Sequence, residues 1–225
     1  MSQTTPAPSG THLVLLLDRS GSMASIATDV IGGVNTFLAE QRANGADARV
    51  SLVQFDSQNP QDTVAWGVPV AEITDLDAAT FVPRGGTPLL DATGLTIGRA
   101  MVENQARLAT GLPTDDVVFV AITDGEENSS REYTLDRVKS LIAERTAEGW
   151  TFVYLSAGLD AYGDAASLGI TVDKTQRWEA SAGGTAKLLS STSRAVSSLR
   201  DKKRRGLDVT DDDFFAGGKD AEDES

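Results

Sequence analysis

Apolar runs alternate along the chain with longer segments whose apolar residues recur at helical spacing. Residues 12–17 and 116–122 are nearly unbroken apolar runs, as in strands that are covered on both faces of a parallel sheet. Helical spacing of apolar residues predicts a helix over 26–42, which Asn44-Gly45 would end. The alternation in residues 49–55 predicts a half-buried strand.

The same patterns continue through the rest of the chain. They predict a strand over 63–70 that forms a hairpin with its predecessor, helices over 88–109 and 134–147, a strand over 150–155, a short helix over 161–168, a brief strand over 170–172 and a final helix over 186–203. Strands that alternate with helices indicate an α/β fold. We expect a doubly wound, mostly parallel sheet with one antiparallel edge strand and helices on both faces.

Charge and composition limit the function. The formal net charge of −13 argues against a nucleic-acid partner, whose phosphates bind to cations. Residues 206–225 contain eight acids and one lysine and are expected to be a disordered tail. The basic cluster before it, residues 200–205, is interpreted as a solvated helix end whose cations suit the helix dipole, with a nucleic-acid or membrane role as the alternative.

Residues and segments that the sequence lacks limit the kinds of site it can form and its expected location. Without cysteine there is no disulfide, no thiol catalysis and no cysteine-ligated metal. No apolar run is long enough for a transmembrane helix, and residues 1–10 read as a disordered lead-in, not a signal peptide. The expected organisation is therefore one domain over 11–205 between two disordered ends, with a cytoplasmic location as the default.

Candidate chemistry follows the two apolar strands, because each ends in an acid, Asp18 or Asp124. In parallel sheets, ligands bind beyond the carboxyl ends of the strands where the strand order reverses. If the first and fourth strands are neighbours there, the two acids converge. Ser20 and Ser22 follow Asp18 at alternate positions, and Thr87 follows a Gly-Gly turn. Such an all-oxygen set suits Mg²⁺, Mn²⁺ or Ca²⁺.

These motifs resemble a known family. Asp18-Arg-Ser-Gly-Ser22 is similar to the Asp-x-Ser-x-Ser signature of the metal-ion-dependent adhesion site (MIDAS) in von Willebrand factor A (vWA) and integrin inserted domains. Thr87 in Gly85-Gly-Thr-Pro88 looks like the second-loop threonine of that family, and Asp124 in Ile122-Thr-Asp-Gly125 like its third-loop aspartate. The resemblance covers roughly residues 11–200.

The resemblance implies a Rossmann-like vWA fold and a metal held by Asp18, Ser20, Ser22, Thr87 and Asp124. It also implies one open coordination position, which a Glu or Asp of a protein partner fills, so that the chain would be a binding module and not an enzyme. A cytoplasmic example would resemble bacterial A-domain proteins that work beside AAA+ ATPases.

Each candidate residue also has a structural alternative. The acids and serines could cap helices, and Thr87-Pro88 is a good helix start in itself. Glu126 and Glu127 are interpreted as solvated loop acids, with contact to the metal as the alternative. Residues 23–25 lack the acids of the adjacent regulatory metal site found in integrin β-type domains. His12, the only histidine, is expected to be structural.

Two other functions remain open. A metal-dependent phosphoryl or ester hydrolase could use an α/β sheet, although Ser20 stands where an aspartyl phosphotransferase needs its second acid. The single histidine also makes a Ser-His-Asp triad hard to build, and no Gly-x-Gly-x-x-Gly or Walker loop is present. Alternatively, Asp211-Asp-Asp-Phe-Phe215 in the tail could dock on the metal of its own chain or of a neighbour.

Overall fold

In the described part of the chain, six strands form one sheet, and five α-helices pack on its two faces. The computed structural model describes residues 10–207 and 214–215. Its helices and strands, in chain order, are β1 (Thr11–Asp18), α1 (Ala27–Ala43), β2 (Ala48–Asp56), β3 (Asn59–Pro69), α2 (Leu89–Ala109), β4 (Asp116–Thr123), α3 (Leu135–Ala147), β5 (Thr151–Ser156), α4 (Ala161–Leu168), β6 (Thr175–Arg177) and α5 (Ala182–Arg204).

The strand order is β3-β2-β1-β4-β5-β6, with every pair parallel except β2 and β3. This confirms the predicted α/β fold and its antiparallel edge strand. The first and fourth strands are neighbours, with Leu17 of β1 opposite Ile122 of β4. The strand order therefore reverses at β1 and β4, and their carboxyl ends, which carry Asp18 and Asp124, meet at one edge of the sheet.

Two apolar layers enclose the sheet, because successive strand residues point to opposite faces. Leu13, Leu15 and Leu17 of β1 join the layer under α1 and α5. Val14 and Leu16 of the same strand join the layer under α2, α3 and α4. Burial on both faces explains why the central strands are continuous apolar runs in the sequence.

The predicted strand over 170–172 is wrong. Residues Val172–Lys174 form a short 3-10 helix, and the edge strand is β6, where Thr175 pairs with Tyr154 of β5. Of the apolar residues behind the prediction, Ile170 is buried under α4 after the left-handed turn at Gly169, whereas Val172 is 64% exposed. The apolar residues at 170 and 172 therefore lie after the end of α4 and at the start of the 3-10 helix, and not in a strand.

The basic cluster is only partly a solvated helix end. Arg200 in α5 is fully buried, and its guanidinium donates hydrogen bonds to the backbone oxygens of Gln41 (2.9 Å) and Gly45 (2.9 Å) and to Asp47 Oδ1 (2.7 Å). Arg204 donates to Asp47 as well, at 2.8 Å to Oδ2. The end of α5 is thus bonded to the end of α1 at the amino edge of the sheet, because orphan carbonyls at a helix end need donors.

Most of both chain ends lies outside the described residues, including most of the expected disordered lead-in and tail. Phe214 and Phe215 are the exception in the tail. Both are buried, belong to the apolar layer under α1 and α5, and pack edge to face on each other. Within the described ranges, no helix is both long and apolar enough to cross a membrane.

Candidate metal site

Asp18, the last residue of β1, is fully buried at the edge where β1 and β4 end. Its Oδ2 accepts a hydrogen bond from Thr123 Oγ1 at 2.6 Å, and its Oδ1 accepts one from the backbone N–H of Ser20 at 2.7 Å. Burial raises the pKa of Asp18 to about 6 in spite of these donors. The carboxylate is therefore held in one orientation across the junction of the two strands.

A chain of hydroxyls joins the first loop, which carries Ser20 and Ser22, to the third loop, which carries Asp124. Ser20 Oγ and Ser22 Oγ lie 3.0 Å apart, and Ser22 Oγ donates to Asp124 Oδ1 at 2.8 Å. Burial raises the pKa of Asp124 too. Four predicted site residues thus form one hydrogen-bonded cluster, and its link between Ser22 and Asp124 spans 102 positions of the chain.

Thr87, the fifth predicted residue, lies beside this cluster and is almost fully buried. Its backbone N–H donates to Asn128 Oδ1 (2.9 Å), and its backbone oxygen accepts from the N–H of Asn128 (3.1 Å). A Cβ placed on Gly125 would lie 3.7 Å from Thr87 Oγ1 and 3.9 Å from Ser22 Oγ. The hydroxyls of the first and second loops therefore both lie next to Gly125, directly after Asp124.

Backbone hydrogen bonds hold the first and second loops together. Gly21 N–H donates to the oxygen of Gly85 at 3.0 Å, and Arg84 N–H donates to the oxygen of Arg19 at 2.8 Å. Gly85 has a φ of +69°, and a Cβ there would lie 2.5 Å from Ser57 Oγ. Glycine is thus required at position 85 for both conformation and space.

Arg19, inside the Asp-x-Ser-x-Ser motif, is a buried residue that the sequence analysis missed. Its guanidinium donates to Asp56 Oδ2 (2.9 Å from Nε, 2.6 Å from Nη2) and to Gln54 Oε1 (2.9 Å). Burial opposes the ionisation of Asp56, but hydrogen bonds led by that of Arg19 outweigh it and lower its pKa. The motif loop is thereby fixed to the end of β2. The only signal in the sequence is the position of Arg19 in the motif, between Asp18 and Ser20, with Asp56 at the end of the next strand.

Two further carboxylates position the third loop. Glu127 Oε1 accepts from the N–H groups of Ser129 (2.8 Å) and Ser130 (2.7 Å), and its Oε2 accepts from the N–H of Leu90 (2.8 Å) and the hydroxyl of Ser130 (2.6 Å). Buried Asp91 accepts from three successive N–H groups, those of residues 131, 132 and 133, at 2.7–2.9 Å. The interpretation of Glu127 as a solvated acid is therefore wrong, because it joins the third loop to the first turn of α2. Glu126 is exposed.

The donor set fits a hard cation. It offers the carboxylates of Asp18 and Asp124 and the hydroxyls of Ser20, Ser22 and Thr87, with neither thiolate nor imidazole among them. No cluster of three or more His, Cys, Asp or Glu side chains with metal-binding geometry occurs in the described part of the chain. Two carboxylates would leave several positions to hydroxyls and waters, which suits Mg²⁺ because it retains waters readily.

The strand order, the two helical layers and the three converging loops define a class: the chain has the fold of a vWA domain. No known family profile and no curated protein sequence matches it. The likeness lies in solved structures. The pilus adhesin SpaC from Lactobacillus rhamnosus GG aligns with a TM-score of 0.59 and 15% identity over 85% of this chain and 31% of its own.

Two other solved structures show the same fold. Proximal thread matrix protein 1 from the mussel byssus, with a zinc-occupied MIDAS motif, aligns with a TM-score of 0.52 and 14% identity over 81% of this chain and 47% of its own. The SpRpn10 vWA domain aligns with a TM-score of 0.51 and 14% identity over 81% of this chain and 94% of its own. The chain thus spans less than half of the adhesin and the byssus protein.

Proposed function

We propose that this chain is a protein-binding module that holds a divalent cation with Asp18, Ser20, Ser22, Thr87 and Asp124. The observation that supports the proposal is the 2.8 Å hydrogen bond from Ser22 to Asp124, which joins oxygens of the first and third loops in one cluster. The zinc-occupied MIDAS of the byssus protein, which has the same fold, supports it. Mg²⁺ is the cation proposed, with Mn²⁺ or Ca²⁺ as alternatives, because every donor is an oxygen.

Each residue would contribute to cation binding in its own way. Asp18, oriented by Thr123 and the N–H of Ser20, would supply a fixed negative charge. Ser20, Ser22 and Thr87 would supply neutral oxygens. The two carboxylates would then balance the double positive charge of the cation but not exceed it. A cation held in this way still attracts a further anionic ligand in an open position.

That further ligand is proposed to be a Glu or Asp of a partner protein. Asp18 and Ser20 are buried, but Ser22 is exposed and Asp124 is half-buried, so the outer side of the cluster faces solvent. The chain has a net charge of −13 and would repel an acidic partner without the cation. Binding should therefore depend on metal. The acidic tail is a second source of such a carboxylate, in cis or in trans.

A hydrolase receives less support from the geometry. His12 lies at the start of β1, at the edge opposite Asp18, and its Nε2 is 2.8 Å from Ser51 Oγ. The one histidine of the sequence is thus not placed to act as a base for a nucleophile at the cluster. We therefore propose binding and not catalysis.

Titration calorimetry with Mg²⁺, Mn²⁺ and Ca²⁺ tests the metal site. Asp18→Asn keeps an acceptor for the N–H of Ser20 but removes the charge, and Ser22→Ala removes the hydroxyl that reaches Asp124. Both should abolish or greatly weaken uptake of the preferred cation. Asp29→Asn, a matched change in the first turn of α1, should not. Absence of divalent uptake by the unaltered protein would refute the proposal.

The partner is tested by affinity capture from native lysate in Mg²⁺ and again in EDTA. A protein bound through the cation should be released by EDTA and should not bind to Asp18→Asn, while Asp29→Asn still captures it. A synthetic peptide carrying its contacting Glu or Asp should compete, and the same peptide with Gln or Asn should not. A partner retained by Asp18→Asn in EDTA docks elsewhere.

A further inference from the structure

A cavity of about 170 Å³ lies beside the candidate metal site, between α2, α3, α4 and β5. Four leucines supply most of its apolar walls, and Tyr154 and Ser167 also line it; the leucines are Leu89, Leu90, Leu135 and Leu168. Leu89 lies two residues after Thr87, and Glu127, which also lines the cavity, lies three residues after Asp124. A partner bound at the metal site would therefore have this cavity within reach of its neighbouring side chains.

One polar group in the cavity is without a partner. Asp164 of α4 lines it, and the Oδ2 atom of Asp164 is buried with no hydrogen-bond partner among the described residues. Buried polar atoms are nearly always hydrogen-bonded, so an orphan needs an explanation. The other lining carboxylate, Glu127, already accepts four hydrogen bonds and is not available.

The surroundings of Asp164 are acidic. Burial, followed by the charges of Glu126 and Asp160, raises its pKa. Both neighbours are exposed, and no ion pair joins any of the three to a lysine or arginine in the described ranges. A cation that entered here would therefore gain a hydrogen-bond acceptor and relieve the repulsion among three acids.

We propose that the cavity between α2, α3 and α4 binds a lysine side chain of the partner, with the aliphatic stem against the leucines and the ammonium group on Asp164. Apolar walls that end in a single unpartnered carboxylate match a flexible stem with a compact charged head. One unpartnered oxygen of Asp164 matches a single ammonium group better than the planar fork of five donors of a guanidinium, and a metal ion would need more ligands. The inference rests on the proposed function, and it narrows the partner to one that presents a lysine near its metal-binding acid.

The test uses the full chain and the probe n-butylammonium, which is the lysine side chain alone, with neutral n-butanol as the matched compound. Methyl NMR in EDTA should show saturable shifts of Leu90, Leu135 and Leu168 with n-butylammonium, and binding about tenfold tighter than that of n-butanol, as expected for one charge-assisted hydrogen bond. Asp164→Asn should remove the preference for the cation. Glu40→Gln, which removes an exposed acid from α1 on the other face, should keep it.

The metal proposal and the cavity proposal can fail separately. Binding of n-butylammonium should be the same in Asp18→Asn as in the unaltered protein, because the probe does not need the cation. Equal affinity for the two probes, a preference that survives Asp164→Asn, or no saturable shift would each overturn the lysine site. None of these results would bear on divalent uptake measured by calorimetry.

Discussion

Two carboxylates at opposite edges of the sheet, Asp47 and Asp18, are held in opposite ways. At the amino edge Asp47 accepts from Arg204 and Arg200, and these hydrogen bonds, with that of Arg204 foremost, lower its pKa to about 2. At the carboxyl edge Asp18 accepts from the hydroxyl of Thr123 and the backbone N–H of Ser20, and burial raises its pKa to about 6. The pKa values of two identical side chains are thus shifted in opposite directions, because Asp18 is buried without a cation and Asp47 is hydrogen-bonded to two arginines.

The difference separates stability from function. Paired charges at the amino edge bond α5 to α1 and to the start of β4, where Lys203 lies 2.9 Å from Asp116. Asp18 and Asp124 at the carboxyl edge are withdrawn from solvent, wholly or in part, without a cation, which costs folding free energy unless a ligand supplies the charge. We therefore expect changes to the paired charges at the amino edge to lower stability, and changes to Asp18 or Asp124 at the carboxyl edge to lower ligand binding.

The largest effect is expected from Arg200→Met at the amino edge. The change would leave the carbonyls of Gln41 and Gly45 and the carboxylate of Asp47 without their buried donor. Breaking one side of such a network should lower the free energy of unfolding by roughly 3 kcal/mol. Chemical denaturation measures it, with Arg205→Met, an exposed neighbour, as the control. A loss of Mg²⁺ affinity with unchanged stability would contradict the division between the edges.

His12, buried at the amino edge, gives the next effect through pH. Burial, and then the charge of Arg49, lower its pKa from 6.5 to about 4, so the unfolded chain binds a proton at a pH where the folded chain does not. Its contribution is fully present above pH 6.5 and is lost as the pH falls towards 4, by about 3 kcal/mol in total. Denaturation curves between pH 7.5 and 4 should show a smaller loss for His12→Gln. Parallel losses would mean that other groups cause the pH dependence.

Asp18→Asn at the carboxyl edge should change stability in the other direction. In EDTA it removes a buried charge that has no cationic partner, so we expect the free energy of unfolding to rise by roughly 1 kcal/mol. Mg²⁺ at a hundred times its dissociation constant should stabilise the unaltered protein by about 2.7 kcal/mol and should leave the variant unchanged. Thermal unfolding with and without Mg²⁺ measures both effects. A variant that is destabilised in EDTA would show that the carboxylate has a structural role.

The ends of the two central strands are easier to predict from the sequence than the elements around them. Asp18 and Asp124 are recognisable because each follows an apolar run that a parallel sheet covers on both faces, which fixes where the strands end. By contrast β6 was missed, because its buried residues Thr175 and Gln176 are polar and give no strand signal. The start of α5 at residue 182 was placed four residues late, since Gly183 and Gly184 weaken the helical pattern.

The burial of charged side chains is a second feature that could not be predicted from the sequence. Arg200 and Arg19 look like surface residues in a sequence, and their burial depends on acceptors far along the chain, such as Asp47 and Asp56. The bond from Arg200 to Asp47 spans 153 positions, and that from Arg19 to Asp56 spans 37. Local patterns of apolar and polar residues carry no information on such pairs.

The smallest expected effect is on Mg²⁺ affinity when the third loop is held less firmly. It tests whether the affinity depends on the position of Asp124 or on the negative charge near it. In Glu127→Gln an amide NH₂ replaces one carboxylate oxygen and faces N–H donors that need an acceptor. The loop that carries Asp124 should then be held less firmly against α2, and Mg²⁺ affinity should fall about tenfold, as for other residues that orient metal ligands. Glu126→Gln removes the same charge from the adjacent, exposed residue and should change the affinity little. Calorimetry on both variants decides, because an equal loss in the two would mean that negative charge near Asp124, and not the four hydrogen bonds of Glu127, sets the affinity.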